Sequence, residues 1–213
     1  MLLDPALRAI AETTKGFMPV EEGDALFDAA CQGGIVQPDH VFVEIGSYCG
    51  RSTVWLGAAA RLCGTKLYAV DHHRGSEENQ VGWEWHDPTL VDQTTGRINT
   101  LPFFEQTIAR AGLSDVVCAV VGDSPEIAST WTKPIAVLFI DGGHGADVAR
   151  ADYLGWTPHV VVGGLLAIHD VNREPEDGGQ APYQQIYLPA IESSKFIETL
   201  AVGSLRVLRR ISC

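Results

Sequence analysis

Short apolar runs alternate with longer segments of mixed polarity along most of the chain. Five runs predict β-strands, each ending in a glycine or an acidic residue: 40–46, 66–71, 116–123, 135–141 and 164–170. Three segments between them predict α-helices: 51–62, 101–112 and 145–156. Nearly continuous apolar strands separated by helices are typical of a parallel sheet that is covered on both faces. The pattern therefore predicts an α/β fold with a mostly parallel sheet and helices on both faces.

The two ends of the chain depart from this alternation. Residues 195–211 predict two strands joined by a turn at Gly203 and Ser204, an antiparallel hairpin. Residues 1–38 predict helices, and we expect them to form a lid over an α/β core at 39–213. These helices are punctuated by Gly16, Pro19 and Gly23. No repeat, low-complexity tract or linker interrupts the 213 residues, so we expect a single domain.

Composition narrows the range of partners. A formal net charge of −12 argues against binding to nucleic acid and is compatible with a cationic ligand or a divalent metal ion.

No apolar run reaches the length of about 18 residues that a membrane span needs. Asp4 and Glu12 lie where a secretory signal would have a basic flank, so we expect a cytoplasmic protein. The five cysteines are not paired in spacing, which predicts free thiols.

Titratable side chains follow two neighbouring apolar runs. Asp141 ends the run at 135–141, and Asp170 ends the run at 164–170. Since ligands of open α/β sheets bind at the carboxyl ends of the strands, these side chains should converge. Two carboxylates with the amide of Asn172 would suit Mg²⁺ or Mn²⁺. His144 is then the candidate general base, although helix capping by the aspartates and a solvated His144 would explain the same residues.

A glycine loop follows the first strand, in the stretch "VFVEIGSYCGRST" at 41–53. Gly46 would permit a sharp turn, and Gly50 would allow close packing of the next helix, where Ser52 offers a hydroxyl. A dinucleotide fingerprint would need a glycine at position 48, which is Tyr48. Asp71 ends the second strand, where it could accept hydrogen bonds from ribose hydroxyls. Taken alone, each feature is also explained as a turn or a helix cap.

The order of these features resembles the class I S-adenosylmethionine-dependent methyltransferases over roughly 40–213. The resemblance implies their Rossmann-like sheet, ending in an antiparallel strand, and S-adenosylmethionine as the cofactor. It implies the following contacts: Glu44, Gly46, Ser47, Gly50 and Ser52 with the methionine part, Asp71 and His72 with the ribose, and Gly122, Asp123 and Ser124 with the adenine. An acid-rich pocket also suits the sulfonium charge.

Asp141-x-x-His144 followed by Asp170 resembles the metal-dependent sugar O-methyltransferases. That family has an acidic pair where this chain has His169-Asp170, so the third ligand of Mg²⁺ or Mn²⁺ stays open between His169 and Asn172. The stretches "VDHHRGSEENQ" and "IDGGHGADV" resemble methyltransferases of methylmannose polysaccharide synthesis. This resemblance implies an acceptor hydroxyl at position 1 of a short, already methylated mannoside, and also a homodimer.

A long polar segment at 72–93 is the candidate acceptor site. Trp83 and Trp85 either form a platform for a sugar face or attach the segment to the core or to a second subunit. His73 and His169 would line the same cleft. The alternatives are an acceptor of the catechol type or another small hydroxylated metabolite, an NAD-dependent oxidoreductase, and a nucleotide-binding or scaffold domain without catalysis.

Overall fold

The computed structural model describes residues 3–83, 85–143 and 145–213, with only the backbone described at Asp177. The seven α-helices in these ranges are α1 (Pro5–Thr13), α2 (Val20–Val36), α3 (Arg51–Leu62), α4 (Leu101–Arg110), α5 (Ser124–Thr130), α6 (Ala146–Trp156) and α7 (Leu188–Glu192). Its seven strands are β1 (Val41–Ile45), β2 (Leu67–Asp71), β3 (Val117–Val121), β4 (Ile135–Ile140), β5 (Val160–Ile168), β6 (Phe196–Val202) and β7 (Leu205–Arg210). A π-helical turn, Tyr183–Tyr187, precedes α7.

All seven strands form one sheet in the order β3-β2-β1-β4-β5-β7-β6. Strands β1 to β5 are parallel, and β7 pairs antiparallel with both β5 and β6. The predicted sheet, mostly parallel with an antiparallel C-terminal hairpin, is therefore confirmed. Strands β2 and β3 lie on one side of β1, and the chain then crosses to the other side of β1 to form β4. Such a reversal opens a crevice beyond the carboxyl ends of the strands, where ligands bind.

Helices cover both faces of the sheet, as predicted. In β1, Phe42 joins one apolar core with residues of α1 to α4, while Val43 joins a second core with residues of α5 to α7. Both side chains are fully buried, and each burial stabilises the fold by about 2 kcal/mol. Trp55 and Trp156 are fully buried, one in each core.

The N-terminal helices belong to the first of these cores. Leu26 and Phe27 of α2 are buried in it, and the guanidinium of Arg51 donates to carbonyl oxygens at Glu12, Thr14 and Met18. A role of residues 1–38 as a lid stays a prediction. Across the described ranges, no helix is both long and apolar enough to cross a lipid bilayer. All five cysteines are free thiols, as predicted.

Two local features differ from the prediction, and glycine explains both. Helix α2 continues through Gly23, where a Cβ atom would lie 2.4 Å from the ring of Trp55. Gly23 is therefore a packing position. Strand β5 begins at Val160, earlier than predicted, and its register against β4 shifts between Ile135 and Val137. A Cβ at Gly164 would lie 2.9–3.1 Å from three carbonyl oxygens, so this irregularity requires glycine.

Candidate active site

The loop after β1 touches the end of β4. Gly46 has a φ angle of +85°, and a Cβ there would lie 2.2 Å from the carbonyl oxygen of Asp141. Only glycine permits both the left-handed backbone and this close approach. Gly50, with a φ of +91°, is the N-cap residue that precedes α3. The predicted glycine loop is thus present, and it lies directly beside the first residue of the acidic cluster described below.

Asp71 holds the same loop from the end of β2. Its Oδ2 accepts hydrogen bonds from the backbone N–H groups of Ser47 at 2.9 Å and Tyr48 at 2.7 Å. Its Oδ1 accepts from the N–H of His73 at 2.6 Å. Three backbone donors therefore fix this carboxylate at the crevice, where its side chain remains 13% exposed. The neighbouring His72 is exposed, and its Nδ1 accepts from the N–H of Arg74.

Glu44 lies beneath the loop and is fully buried. Its two carboxyl oxygens accept hydrogen bonds from the hydroxyls of Ser52 and Thr53, both at 2.6 Å. Burial raises the pKa of Glu44 to about 8, with smaller contributions from the charges of Asp141 and Asp71, while the two hydroxyls act in the opposite direction. Glu44 is therefore mostly protonated at neutral pH, and with Ser52 it anchors the start of α3.

Replacing Glu44 with glutamine should remove a pH dependence of stability. The folded-state pKa of about 8 lies above the ordinary value of 4.5. The contribution of protonated Glu44 is therefore complete below pH 4.5 and is lost as the pH rises through about 8. We expect the melting temperature of Glu44→Gln to fall less than that of the wild type between about pH 5 and pH 9. Glu105→Gln, an exposed change on α4, is the control, and parallel curves for Glu44→Gln and the wild type would contradict the assignment.

The third strand leads to a chain of polar side chains that is partly buried. Gly122 follows β3, Asp123 precedes α5, and the hydroxyl of Ser124 donates to Asp152 Oδ1. Trp156 Nε1 in turn donates to Ser124 Oγ at 2.8 Å. Burial raises the pKa of Asp152 to about 6, against the effect of the Ser124 hydroxyl. Asp152 was not predicted from the sequence, because nothing in the spacing of α6 distinguishes it from a surface acid.

Asp141, His169 and Asp170 meet at the carboxyl ends of β4 and β5. His169 Nδ1 lies 3.0 Å from Asp141 Oδ1 and 3.2 Å from Asp170 Oδ2. One possible metal-ligand atom of each residue lies within 4.8 Å of those of the other two, a spacing that can hold a metal ion. His169 is buried, whereas the side chains of Asp141 and Asp170 are 21% and 28% exposed. We call these three residues the acidic cluster.

Glu22 of α2 lies on the other side of the His169 ring. Its Oε2 is 2.8 Å from His169 Nε2, a contact without the alignment of a hydrogen bond, so it is an ion pair. Burial opposes a charge on His169, but Asp141, Asp170 and Glu22 together raise its pKa to about 12. Burial would also raise the pKa of Glu22, yet His169 and the donors of Ser204 lower it. The ring is thus a buried cation between three carboxylates.

Backbone strain is concentrated at this edge of the sheet. Four non-glycine residues among those described have a positive φ, and three of them follow strand ends: Tyr48 (47°), His73 (58°) and Asp170 (54°). They lie in the loops after β1, β2 and β5. Left-handed backbone at such residues costs free energy and is found disproportionately at functional sites. The strain therefore marks the same crevice as the glycine loop and the acidic cluster.

Comparison with known proteins identifies the family. Residues 43–171 match the family described as a methyltransferase domain. This range begins in β1, ends just after Asp170 and covers more than half of the chain. The chain belongs to this methyltransferase family. The predicted methyltransferase is thereby confirmed, in preference to an NAD-dependent oxidoreductase.

Solved structures with similar folds cover nearly the whole methyltransferase. Cofactor-bound Rv0187 from MTB is 18% identical, with a TM-score of 0.67, over 99% of this chain and 91% of that chain. The O-methyltransferase NovP is 14% identical, with a TM-score of 0.69, over 91% and 81%. The O-methyltransferase from Bacillus cereus in complex with SAH is 18% identical, with a TM-score of 0.65, over 98% and 92%. At these identities the likeness establishes the shared fold.

The other residues predicted for catalysis, metal binding and acceptor binding occupy different surroundings. His144, the predicted base, lies outside the described residues. Asn172 lines an open groove with Ser204 and Arg206. His73 is buried and has a left-handed backbone, and its Nδ1 lies 2.8 Å from Thr100 Oγ1. Burial also lowers the pKa of His73 despite the nearby charge of Asp71.

Trp83 and Trp85 remain about half exposed, at 52% and 49%. Trp85 packs edge-on against Phe17, with ring centroids 5.3 Å apart. Phe17, which lies between α1 and α2, also contacts Tyr48 of the glycine loop at 5.7 Å. Trp85 therefore attaches the segment at 72–93 to the N-terminal region, while Trp83 keeps an exposed face.

Proposed function

We propose that this methyltransferase transfers a methyl group from S-adenosylmethionine to a sugar hydroxyl, with a divalent metal ion bound at the acidic cluster. One observation carries the proposal: the glycine loop after β1 touches Asp141, the first residue of the cluster, through Gly46. A cofactor bound along the loop and an acceptor oxygen at the cluster would therefore share one crevice. Proximity of this kind supplies much of the rate enhancement in group transfer.

The loop residues fit the proposed cofactor. Ser47 Oγ is buried and has no hydrogen-bond partner among the described residues, so its donor is available to a ligand after a small opening of the loop. The methionine part would lie along Gly46, Ser47 and Gly50, with Glu44 and Ser52 supporting the loop from below. Two of the similar structures are described as cofactor-bound and as a complex with SAH, which supports this assignment.

The carboxyl ends of β2 and β3 would hold the nucleoside. Asp71, fixed by three backbone donors, would accept hydrogen bonds from the ribose hydroxyls, with the exposed His72 beside it. Gly122, Asp123 and Ser124 would flank the adenine. S-adenosylmethionine supplies a methyl group on a positively charged sulfur, and the surrounding carboxylates would stabilise that charge.

The acidic cluster fits a divalent cation. With their carboxylates ionised, Asp141, Asp170 and Glu22 exceed the single charge of the His169 imidazolium by two negative charges. A cavity of about 10 Å³, at the lower limit for one water molecule, lies beside Asp141 and His169, and Asp170 is not among its lining residues. Two carboxylates suit Mg²⁺ or Mn²⁺, and an imidazole nitrogen as the third ligand atom favours Mn²⁺ over Mg²⁺. His169 would have to release its Nδ1 proton to act as that donor.

Other residues of this chain would accept the proton and bind the acceptor. A divalent ion, when bound, lowers the pKa of a coordinated hydroxyl. His144, three residues after Asp141, would accept the proton of the acceptor hydroxyl. The exposed face of Trp83 suits the apolar face of a sugar ring. The groove beside Asn172 and Arg206 would offer polar partners for further hydroxyls.

The acceptor we propose is a short mannoside that is already methylated, with methyl transfer to its 1-hydroxyl. This finer assignment rests on the resemblance of "VDHHRGSEENQ" and "IDGGHGADV" to the mycobacterial methylmannose polysaccharide 1-O-methyltransferase. The same resemblance supports a homodimer.

The test is transfer of isotope-labelled methyl from S-adenosylmethionine to a panel of mannosides, other sugars and catechols. Each acceptor is assayed with Mn²⁺, with Mg²⁺ and with a chelator. We expect label on a mannoside only when a metal ion is present. Transfer that is insensitive to the chelator would remove the metal ion from the proposal, and transfer to catechols alone would replace the sugar. Absence of S-adenosylmethionine binding would overturn the whole assignment.

A further inference from the structure

Glu22 is a buried carboxylate that is not among the proposed ligands of the metal ion. It lies on α2, far from the acidic cluster in sequence, and it is only 5% exposed. Its Oε2 nevertheless lies 2.8 Å from His169 Nε2. A charged side chain in the core requires compensation, because removal from water is costly unless the charge is paired. Here the partner is a ring whose other nitrogen faces two candidate metal ligands.

The hairpin turn between β6 and β7 holds Glu22 in place. Its Oε1 accepts a hydrogen bond from the N–H of Ser204 at 2.7 Å, and its Oε2 accepts from the Ser204 hydroxyl at 3.1 Å. A Cβ at Gly203 would lie 2.0 Å from Oε1, so the turn approaches the carboxylate as closely as glycine allows. The position of the Glu22 carboxylate is therefore determined by α2 and the hairpin together.

The two sides of the His169 ring have different partners. Nδ1 faces Asp141 Oδ1 and Asp170 Oδ2, whereas Nε2 faces Glu22. A carboxylate at one ring nitrogen fixes the orientation of an imidazole and directs the other nitrogen to a metal ion. The arrangement of Glu22, His169 and the two aspartates follows this principle.

We propose that Glu22 is a positioning residue of the metal site, holding the His169 ring so that Nδ1 points at Asp141 and Asp170. The proposal rests on the metal-dependent function proposed above and deepens it. It assigns a function to the N-terminal helix α2 in a site that otherwise consists of strand ends.

Glu22→Gln is the test variant, because glutamine keeps the size and one acceptor for Ser204 but removes the charge that faces His169. The matched control is Glu21→Gln, the same chemical change at the preceding, exposed position of α2. Mn²⁺ binding is measured by titration calorimetry and by the Mn²⁺ electron paramagnetic resonance signal. We expect affinity to fall about 10- to 100-fold in Glu22→Gln and to stay unchanged in Glu21→Gln. Glu22→Asp should recover part of the affinity.

A second variant and a metal-free measurement keep the test decisive. If Glu22→Gln does not fold, Ser204→Ala loosens Glu22 by removing one hydrogen bond, and a few-fold weaker Mn²⁺ affinity is expected. The nitrogen-15 signals of the His169 ring, assigned with His169→Gln, should shift in Glu22→Gln without any metal ion. Wild-type Mn²⁺ affinity in a folded Glu22→Gln protein would overturn the proposal. If the wild type binds no Mn²⁺, the metal-dependent function is wrong, and unchanged ring signals would separately overturn the role of Glu22.

Discussion

Replacement of Asp141 with asparagine is expected to reduce metal-stimulated methyl transfer about 100-fold or more, while binding of S-adenosylmethionine is retained. Asparagine preserves the shape of the side chain but removes an anionic oxygen that lies 3.0 Å from His169 Nδ1. The backbone of Asp141, which touches Gly46, is unchanged by this substitution. Initial rates with Mn²⁺ and with a chelator measure the first effect, and titration calorimetry measures cofactor affinity.

Two variants make this result specific. Asp147→Asn removes the same charge from an exposed position of α6 and should leave the rate unchanged. His144→Ala should retain Mn²⁺ binding but lose turnover by about 100-fold or more, the contribution typical of a general base. Metal stimulation of normal size in Asp141→Asn would show that the cluster is not a metal site.

Replacement of Asp71 with alanine is expected to affect both stability and cofactor binding. Three backbone N–H groups, of Ser47, Tyr48 and His73, would lose their acceptor. Because water can reach part of this site, we expect a loss of about 2–4 kcal/mol in the free energy of unfolding. Since the glycine loop is no longer held, affinity for S-adenosylmethionine should fall about 100-fold. Urea unfolding and titration calorimetry measure the two effects.

Asp92→Ala is the matched control for this experiment. Asp92 also accepts backbone hydrogen bonds, from Thr94 and Thr95, but in an exposed turn. Its removal should lower stability slightly and leave cofactor affinity unchanged. Cofactor affinity of the wild-type level in Asp71→Ala would show that the loop after β1 does not form the cofactor site.

The alternation of apolar runs predicted the sheet well because parallel strands are buried on both faces. Every residue of β4, for example, is buried, and its sequence is a continuous apolar run. The start of β5 was not predictable in this way, since its bulge at Gly163 and Gly164 depends on carbonyl oxygens of β4. Helix α5 was missed because its short run offers few turns for a helical pattern.

From the rule that strand ends converge, the proximity of Asp141, His169 and Asp170 was predicted correctly. The rule gave no information on helix-borne partners such as Glu22 and Asp152, whose side chains reach the site only through tertiary packing. Alternation along β1 explains the place of Glu44, which lies two residues after Phe42 and faces the same layer of helices. A carboxylate on that face meets Ser52 and Thr53 beneath the glycine loop.

The ion pair and hydrogen bonds of Glu22 also have a consequence for folding. Glu22 and Ser204 are 182 residues apart in sequence, so their contact closes nearly the whole chain into one loop. Contacts between residues so far apart in sequence form late, because the entropy of loop closure must be overcome before they contribute. We therefore expect the acidic cluster to reach its final charge balance only when the hairpin docks on α2. If the cluster binds a metal ion as proposed, a chain that is still folding would hold that ion less tightly than the native protein.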